Sequence, residues 1–374
     1  MTLNNSNPKR VILHLIDTTG PGGAETVFIQ LADKLRESGN QSVVVIRGDG
    51  WVKDELERKG LSPLVIPSKG SFAIGFVKEL ILVIKKYKVD VIQSHLLGSN
   101  VYGAIAGLIT GTPVVATYHG MVDVNPNERF KWLKNTAMKW GIKHYVAVSQ
   151  QLLNNIQNHN LLVPSRASVI YNGVELESYK LKKSDLIRNN LELPQDAVLV
   201  GSLGNIRSAK AYHILIEAGA KLIPANPNIH FVIAGHKKES LMTKLENQLI
   251  ELGLQDNFHF IGFSDNSAEF LSQMDYFVLS SSSEGFSIST IEAMATGLPV
   301  LVTKCGGPEE IVKPDITGIM VKPNDSKALA EGLIKLIDNP KLAVKLGLAG
   351  KKRVEEKFSL DKMLNSYNSL YDDL

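Results

Sequence analysis

Residues 10–26 read RVILHLIDTTGPGGAET, an apolar run followed directly by a glycine-rich turn. The run predicts a buried strand, and AETVFIQLADKLRESG after it predicts an amphipathic helix closed by Gly39. A glycine turn between a strand and a helix is typical of phosphate sites. In the dinucleotide fingerprint, however, a third glycine lets helix and strand pack closely, and Glu25 stands in its place. This substitution argues against a nicotinamide-binding loop and leaves the task of the glycine turn open.

The same alternation of predicted strands and helices continues along most of the chain. Near-continuous apolar runs, typical of parallel strands, alternate with amphipathic stretches. The runs are RVILHLID, QSVVVIRG, VDVIQSH, TPVVATYH, HYVAVS, AVLVGSLG, HFVIAG, FHFIGF, YFVLSS and PVLVTK. Residues 172–195 are mostly polar and charged, and they interrupt this alternation of strands and helices. The pattern predicts an α/β protein with two doubly wound parallel-sheet domains joined near residues 172–195.

Composition excludes several classes of protein. The 374 residues carry 41 Lys and Arg against 38 Asp and Glu, which leaves too little excess positive charge for nucleic-acid binding. Cys305 is the only cysteine, so no intrachain disulfide is expected. Gly107, Gly111 and Pro113 break the apolar segment VYGAIAGLITGTPVVATY, and the polar start MTLNNSNPKR does not resemble a signal peptide. We expect a soluble cytoplasmic enzyme.

The segment SSSEGFSISTIEAMATG, residues 281–297, holds the richest set of polar groups. It predicts a helix from about Ser289 to Thr296. Ser289 and Glu292 have the spacing of a capping box, which gives Glu292 a purely structural explanation. Alternatively, the free amides of residues 286–288 hold a phosphate at the positive end of this helix. Glu284 has no obvious structural partner in this pattern, which favours a functional role.

A second polar segment, GNIRSAKAYHILIEA, follows the strand AVLVGSLG. Arg207 and Lys210 lie in or near the first turn of the next helix, where cations oppose the helix dipole. A bound anion would offset that cost. A solvated basic loop is the alternative.

Two histidines end predicted strands of the first domain, at the sheet edge where ligands bind in open α/β folds. They are His119, which precedes Gly120, and His95. A lone histidine is more often structural, but the glycine after His119 permits a sharp bend, so we favour His119.

Several motifs are missing from the sequence. It has no D-x-D pair for a metal–diphosphate complex, no G-x-x-x-x-G-K-[ST] loop, no H-E-x-x-H and no G-x-S-x-G. We therefore expect neither a catalytic metal nor a covalent nucleophile.

Taken together, these segments resemble the retaining family 4 glycosyltransferases of the GT-B fold. The shared segments are GPGGAE, AVS, VIYNGVE, GNIRSAK, an E-x7-E pair from Glu284 to Glu292, GLPVLVTKCGGPEEIV and TGIMVKP. The resemblance implies two Rossmann-like domains that face each other across a cleft. Residues 1–175, with a crossover helix at 358–374, would form the acceptor domain. Residues 176–357 would bind the nucleotide-sugar donor, linked to UDP or GDP.

The resemblance also implies roles for residues of the second domain. Arg207 and Lys210 would neutralise the donor diphosphate in place of a metal, so no cofactor is expected. Glu292 would bind the ribose hydroxyls and Glu284 the transferred sugar. The sugar and phosphate would also meet three backbone amides, those of Phe286, Ser287 and Ile288.

In the first domain, His119 would contact the sugar near the reacting carbon. Gly22 and Gly23 would approach the diphosphate from the opposite side. The sequence departs from the family pattern at Asn205, where arginine is common, and at Ala211, where glycine is usual. Rival interpretations are a sugar-nucleotide epimerase of GT-B fold and a non-catalytic nucleotide-sugar-binding subunit.

Family members often act on lipid-linked acceptors at the inner membrane face, in polysaccharide or glycolipid synthesis. Two segments of the first domain fit contact with an anionic membrane surface. FVKELILVIKKYK ends in basic residues, and RFKWLKNTAMKWGIKH combines basic residues with Trp132 and Trp140. The basic residues are Lys85, Lys86, Lys88, Arg129, Lys131, Lys134, Lys139 and Lys143. Ordinary helices packed on the sheet explain the same patterns equally well.

Overall fold

The computed structural model describes residues 8–68, 73–120, 131–159 and 162–374. It divides into two compact units, unit 1 (Met1–Tyr171 and Met363–Leu374) and unit 2 (Asn172–Lys362). Each unit is a parallel sheet with helices, so the predicted α/β class with two Rossmann-like domains is confirmed.

Unit 1 contains a seven-stranded sheet in the order β3-β2-β1-β4-β5-β6-β7. The paired strands are all parallel, and Leu15 of the central strand lies between Val45 and Ser94 of its neighbours. The strands are β1 Val11–Ile16, β2 Gln41–Ile46, β3 Leu64–Val65, β4 Val91–His95, β5 Val114–Tyr118, β6 His144–Ala147 and β7 Ala167–Val169. The helices are α1 Gly23–Glu37, α2 Trp51–Arg58, α3 Ile74–Tyr87, α4 Leu97–Thr110, α5 Lys131–Gly141 and α6 Gln150–Asn158.

Unit 2 contains a six-stranded parallel sheet in the order β10-β9-β8-β11-β12-β13. Its strands are β8 Val198–Leu203, β9 Ile229–Ala234, β10 Phe258–Gly262, β11 Tyr276–Leu279, β12 Val300–Thr303 and β13 Ile319–Val321. Its helices are α7 Leu186–Asn190, α8 Tyr212–Leu222, α9 Glu239–Leu252, α10 Ser267–Ser272, α11 Ile288–Thr296, α12 Pro308–Ile311, α13 Ser326–Ile337 and α14 Pro340–Lys357. Val200, Phe231, Val278 and Leu301 are fully buried between the sheet and these helices.

The last helix, α15, spans Leu360–Asp372, as its apolar spacing predicts. Its first residues belong to unit 2, and the rest, from Met363 on, belong to unit 1. Within unit 1 it buries Tyr367 and Tyr371 almost completely.

The strand orders locate the candidate sites. In each unit the first strand lies in the middle of the sheet. Strands are added first on one side of it and then on the other, so the order switches between β1 and β4 in unit 1 and between β8 and β11 in unit 2. In doubly wound sheets, ligands bind outside the carboxyl ends of the strands at this switch point. The residues that directly follow these strands are therefore the first candidates in each unit.

The apolar segment around Gly107 is a helix, a turn and a strand, as predicted. Helix α4 ends at Thr110, its C-cap residue Gly111 has a left-handed φ of 76°, and β5 follows. In the described ranges, no helix combines the length and apolar character needed to cross a bilayer.

Candidate active site

A close approach of backbone to side chain shapes the turn after β8 in unit 2. Gly204 has a φ of +152°, and a Cβ placed there would lie 2.6 Å from Cε of Lys210. The Tyr212 hydroxyl donates a hydrogen bond to the Gly204 carbonyl at 2.9 Å. The Ser280 hydroxyl, at the end of β11, donates to the Lys210 carbonyl at 2.8 Å. These contacts hold Lys210 at the switch point of the unit 2 sheet.

Lys210 and Glu284 form an ion pair at this position. Nζ of Lys210 lies 2.8 Å from Oε1 of Glu284, and the two side chains are only 17% and 15% exposed. The Ser281 hydroxyl donates to the same carboxylate oxygen at 2.7 Å. Burial acts to lower the pKa of Lys210, but the Glu284 carboxylate outweighs it, so this pKa is raised and Lys210 stays charged. The expectation that Glu284 lacks a structural partner was wrong, because Lys210, 74 residues away, and Ser281, three residues away, both contact its carboxylate.

Lys210 lies just before the first turn of a helix, near it as the sequence predicts. It ends a short 3₁₀ turn, Ser208–Lys210, and α8 begins only at Tyr212. Ala211 between them has φ 48° and ψ 41°, a left-handed conformation that is strained for residues with a Cβ. This geometry explains why a glycine suits position 211.

The strain at Ala211 leads to a stability prediction. Ala211→Gly should destabilise the protein less than Ala218→Gly. We expect the two free energies of unfolding to differ by about 1–2 kcal/mol, because only Ala211→Gly relieves the strain of a left-handed conformation. Both alanines are buried, and Ala218 lies inside α8, so it is a matched control. Denaturant unfolding of both variants measures the difference. Equal losses would contradict the account of Ala211.

The structure does not bring Arg207, a predicted phosphate ligand, to the Lys210–Glu284 pair. Its side chain is exposed and makes no hydrogen bond or ion pair with any described residue. Asn205 makes a contact between the ends of two neighbouring strands, because its Oδ1 accepts a hydrogen bond from the His236 amide at 3.0 Å. Asn205 and Lys210 are thus both held by residues that follow neighbouring strands of the sheet, His236 after β9 and Ser280 and Glu284 after β11.

The amino terminus of α11 follows Glu284 directly. The helix begins at Ile288 with Ser287 as its N-cap, so Ser289 lies inside the first turn and the predicted capping box is wrong. The Ser287 hydroxyl accepts from the Thr290 hydroxyl at 2.8 Å rather than from a backbone amide. The amides of Ser287 and Ile288 have no acceptor among the described residues, as is usual at a helix start. The Phe286 side chain is buried and packs edge-on against Phe358.

Glu292 has two partners that the sequence did not suggest. The hydroxyls of Tyr179 and Ser267 each donate to its Oε1 at 2.8 Å. No hydrogen bond to Oε2 comes from the part of the chain that the structure describes. Burial raises the pKa of Glu292, although the two hydroxyls and Lys210 act against this shift. The carboxylate is thus oriented through one oxygen while the other makes no described hydrogen bond.

In unit 1, Gly22 and Gly23 lie where the glycine turn meets α1. Gly22 is the N-cap in an extended conformation with φ −174°, and α1 begins at Gly23. Neither glycine has a positive φ. Glu25 is only 8% exposed in the first turn of α1, and its carboxylate occupies the place of a Cβ at Gly22.

His119 directly follows β5 and pairs with His95, the last residue of β4. Nε2 of His119 lies 2.8 Å from Nδ1 of His95, and the rings stack. Burial lowers the pKa of His119 to about 3 and that of His95 well below its usual value. Both rings are therefore neutral at ordinary pH.

Sequence reasoning missed one polar group at the same edge of unit 1. Asp17 directly follows β1, and burial raises the pKa of its carboxyl group. Arg47, which follows β2, lies 4.0 Å from Asp17 and packs over the rings of Phe76 and Tyr102. The signal was present, because Asp17 ends RVILHLID, the first apolar run of the sequence.

The described residues contain no group of three or more His, Cys, Asp or Glu side chains arranged to hold a metal ion.

Comparison with known proteins identifies the class to which this fold and site belong. Anabaena Alr3699/HepE, solved in complex with UDP and glucose, is similar over 98% of this chain and 100% of its own, with a TM-score of 0.88 and 23% identity. WaaG, described as a glycosyltransferase involved in lipopolysaccharide biosynthesis, is similar over 96% of this chain and 99% of its own, with a TM-score of 0.75 and 17% identity. The chain has the GT-B fold.

The sequence comparisons then define the family. Residues 183–353 match the family described as Glycosyl transferases group 1, and residues 21–178 match Glycosyltransferase Family 4. The capsular polysaccharide biosynthesis glycosyltransferase CapM of Staphylococcus aureus is 27% identical, over 89% of this chain and 90% of its own length. The UDP-Gal:alpha-D-GlcNAc-diphosphoundecaprenol alpha-1,3-galactosyltransferase of Escherichia coli is also 27% identical, over 78% of this chain and 77% of its own. The chain belongs to the family 4 type of glycosyltransferases and is an enzyme of that class.

Proposed function

We propose that this glycosyltransferase retains anomeric configuration and works without a metal. It moves a sugar from a UDP- or GDP-linked donor to a glycan or lipid-linked acceptor. The observation that carries the proposal is the Lys210–Glu284 pair, held at the switch point of unit 2 just before the amides of α11. A fixed cation and free helix amides together form a site that suits a diphosphate.

In the proposed function, different residues of unit 2 bind different parts of the donor substrate. Lys210, with Arg207 swinging in from its exposed position, neutralises the diphosphate, and the amides of residues 286–288 bind phosphate and sugar oxygens. Glu284 accepts hydrogen bonds from the transferred sugar, and Oε2 of Glu292 accepts from the ribose hydroxyls. For unit 1, we propose that His119 contacts the sugar and that Gly22 and Gly23 bind the diphosphate.

The proposed reaction needs no nucleophile from the protein. The bond between C1 of the sugar and the diphosphate oxygen breaks, and a bond from C1 to the acceptor hydroxyl oxygen forms on the same face. The hydroxyl proton passes to the departing phosphate oxygen, and the nucleoside diphosphate leaves. Lys210 and the amides stabilise the charge that develops on the leaving group.

The names of the relatives support the substrate class. CapM is named for capsular polysaccharide biosynthesis, and the Escherichia coli relative for a UDP-linked donor and a diphosphoundecaprenol acceptor. The HepE structure holds UDP and glucose. We propose that the present chain acts likewise in the synthesis of a cell-surface polysaccharide or glycolipid.

A donor panel tests this function and separates it from its rivals. The purified protein is incubated with UDP- and GDP-sugars, with and without a lipid extract, and products are analysed by NMR of the anomeric proton. We expect transfer only with the extract, with donor configuration kept. An epimerase would convert donor alone. A non-catalytic subunit would show the same transfer in its complex after Glu284→Ala.

The surface of unit 1 supports a peripheral site of action at an anionic membrane. Trp132 and Trp140 of α5 are 79% and 76% exposed, and Leu133 is exposed beside them on the same arc of the helix. Lys139 and Lys143 are exposed nearby, as are Lys85, Lys86 and Lys88 at the end of α3. Arg129 and the side chain of Lys131 lie outside the described residues, and Lys134 is buried. We propose that α5 places its two indoles at the inner face of the cytoplasmic membrane.

The membrane proposal predicts a result with vesicles. The double variant Trp132→Ala/Trp140→Ala should bind phosphatidylglycerol vesicles at low salt at least about tenfold more weakly than wild type, because two large apolar side chains no longer leave water. Val344→Ala/Leu348→Ala is the control, since it removes comparably exposed apolar groups from α14 of unit 2. Co-sedimentation measures both. Equal binding by wild type and the tryptophan variant would contradict the proposal.

A further inference from the structure

An aspartate and an arginine lie together at the carboxyl edge of the unit 1 sheet. Asp17 follows β1, the strand at the switch point, and Arg47 follows its neighbour β2. Their side chains are 18% and 20% exposed, so both are mostly enclosed but reach the surface. Nη1 of Arg47 is 4.0 Å from Oδ2 of Asp17, which is beyond hydrogen-bond range. The two charges therefore attract each other without using each other's hydrogen-bonding capacity.

Arg47 is held in place by contacts that leave most of its donors unused. Its guanidinium group packs over the rings of Phe76 and Tyr102, at 5.8 and 5.5 Å from their centroids. Nη2 donates to the Ser68 carbonyl at 3.2 Å. Within the ranges that the structure describes, neither Nε nor Nη1 makes a hydrogen bond. The planar group is thus fixed in advance, with donors that no described residue uses.

Asp17 is held against the first turn of α4. A Cβ at Gly98, the second residue of that helix, would lie 1.9 Å from Oδ2 of Asp17, so a glycine is needed to leave room for the carboxylate. Leu96, just before the helix, has φ 70° and ψ 158°, a conformation that residues with a Cβ rarely adopt. Backbone strain of this kind persists where the surrounding contacts impose it, and it is common at functional sites.

The charges around the pair determine which ligand it can bind. Burial and the nearby Glu25 carboxylate raise the pKa of Asp17, against the effect of Arg47. Two carboxylates therefore act on one guanidinium group, and the excess negative charge disfavours a phosphate or carboxylate ligand. The hydroxyls of an uncharged sugar suit the pair better, because a hydroxyl can donate to Asp17 and its neighbour can accept from Arg47.

We infer that Asp17 and Arg47 form the acceptor subsite of this enzyme and bind adjacent hydroxyls of an uncharged acceptor sugar. This inference rests on the proposed function, because only a transferase needs an acceptor. It adds the residues and the chemistry of recognition, and it concerns unit 1 alone. Any phosphate of a lipid-linked acceptor binds elsewhere.

Steady-state kinetics with the lipid extract as acceptor test the inference. Arg47→Met keeps an apolar stem over the two rings but removes the donors, and Asp17→Asn removes the charge at the same volume. Each variant should raise the apparent KM for the extract about 10–100-fold, because each weakens hydrogen bonds to a charged group. The KM for the nucleotide-sugar donor should not change, since the donor binds in unit 2.

Arg36→Met is the matched control for Arg47→Met. Arg36 lies in the last turn of α1, where it forms an ion pair with Asp33 at 2.7 Å and donates to the Lys59 carbonyl at 3.1 Å. It thus contacts one carboxylate and one backbone carbonyl, as Arg47 does, but it lies near the start of β2 rather than its end. Arg36→Met should leave the KM for the extract unchanged.

A pair of glycine variants tests the position of the carboxylate without removing a charge. Gly98→Ala places a methyl group against Asp17 and should raise the KM for the extract. Gly75→Ala is the control, because Gly75 is also the second residue of its helix, α3, and an added Cβ there meets no atom within 4 Å.

Saturation-transfer NMR detects the subsite without turnover. The probes are the methyl glycosides of glucose, galactose, mannose and N-acetylglucosamine, with UDP or GDP present. We expect at least one glycoside to bind wild type and to bind Arg47→Met about tenfold or more weakly. The 6-phosphate of that sugar should bind wild type more weakly than the uncharged glycoside does.

The outcomes separate this inference from the proposed function. An unchanged KM for the extract in either Arg47→Met or Asp17→Asn overturns the inference, as does an equal rise in Arg36→Met. Failure of wild type to bind any of the glycosides, or tighter binding of the 6-phosphate, also overturns it. A wild-type protein that binds a glycoside through Arg47 but transfers no sugar to any acceptor contradicts the proposed function instead.

Discussion

Lys210→Ala should lower kcat/KM for sugar transfer about 10²–10³-fold, the usual effect of removing one preorganised group that stabilises developing charge. Lys210 is held by the Glu284 carboxylate and by Ser280, so its ammonium group is in place before substrate binds. Its raised pKa keeps it charged across the working pH range. Steady-state kinetics with the identified donor measure the change, and Lys210→Arg should recover part of the loss because it keeps the charge.

Lys335→Ala is the matched control for this experiment. Nζ of Lys335 lies 2.8 Å from Asp315 in the same unit, the same distance as in the Lys210–Glu284 pair, but the side chains are 50% and 69% exposed. Such a surface pair contributes about 0–1 kcal/mol to stability, and its loss should leave kcat/KM unchanged. If Lys210→Ala retained a third or more of the wild-type activity, the proposed role of Lys210 would be wrong.

Glu292→Gln should remove the preference for an intact ribose. We expect wild type to bind UDP or GDP about 10–100-fold more tightly than the 2′,3′-dideoxy analogue, because hydrogen bonds to a carboxylate contribute about 1.5–3 kcal/mol. The variant should bind the parent nucleotide more weakly by that factor and the analogue almost unchanged. Calorimetric titration measures all four affinities, with Glu331→Gln on the exposed face of α13 as the control. If Glu292→Gln kept the full preference for the intact ribose, the proposal that Glu292 binds the ribose would be wrong.

The same residue predicts a pH dependence. The ionised carboxylate accepts from the ribose hydroxyls, and burial raises the pKa of Glu292 from its usual 4.5. On acidification, the preference for the intact ribose should therefore begin to fall above pH 4.5. In Glu292→Gln, the affinity ratio of the two nucleotides should not change over the same range.

The fold was predictable from sequence because each long strand is a continuous apolar run next to an amphipathic stretch. The strands that escaped prediction, β3, β7 and β13, have only two or three residues each. A segment of two or three residues is too short to show a hydrophobic periodicity. Its place in the sheet depends on pairing with a neighbouring strand.

The sequence predicted which residues form the site and which strands they follow, but it did not predict which of them contact each other. Glu284 and Lys210 both follow strands of unit 2, yet they lie 74 residues apart, and no local pattern predicts their pairing. Tyr179, which orients Glu292, is 113 residues away from it. The capping box failed for a different reason, since the N-cap is Ser287, two residues before the Ser289 that the pattern requires.

The central claim is that unit 2 binds a nucleoside diphosphate through Lys210 without a metal. Isothermal titration of UDP and GDP into the full-length protein, in EDTA and again in excess Mg²⁺, tests it most directly. We expect one of the two nucleotides to bind with the same Kd in both buffers and about 10²-fold more weakly to Lys210→Ala. Binding that needs Mg²⁺, or equal binding by wild type and Lys210→Ala, would contradict the account.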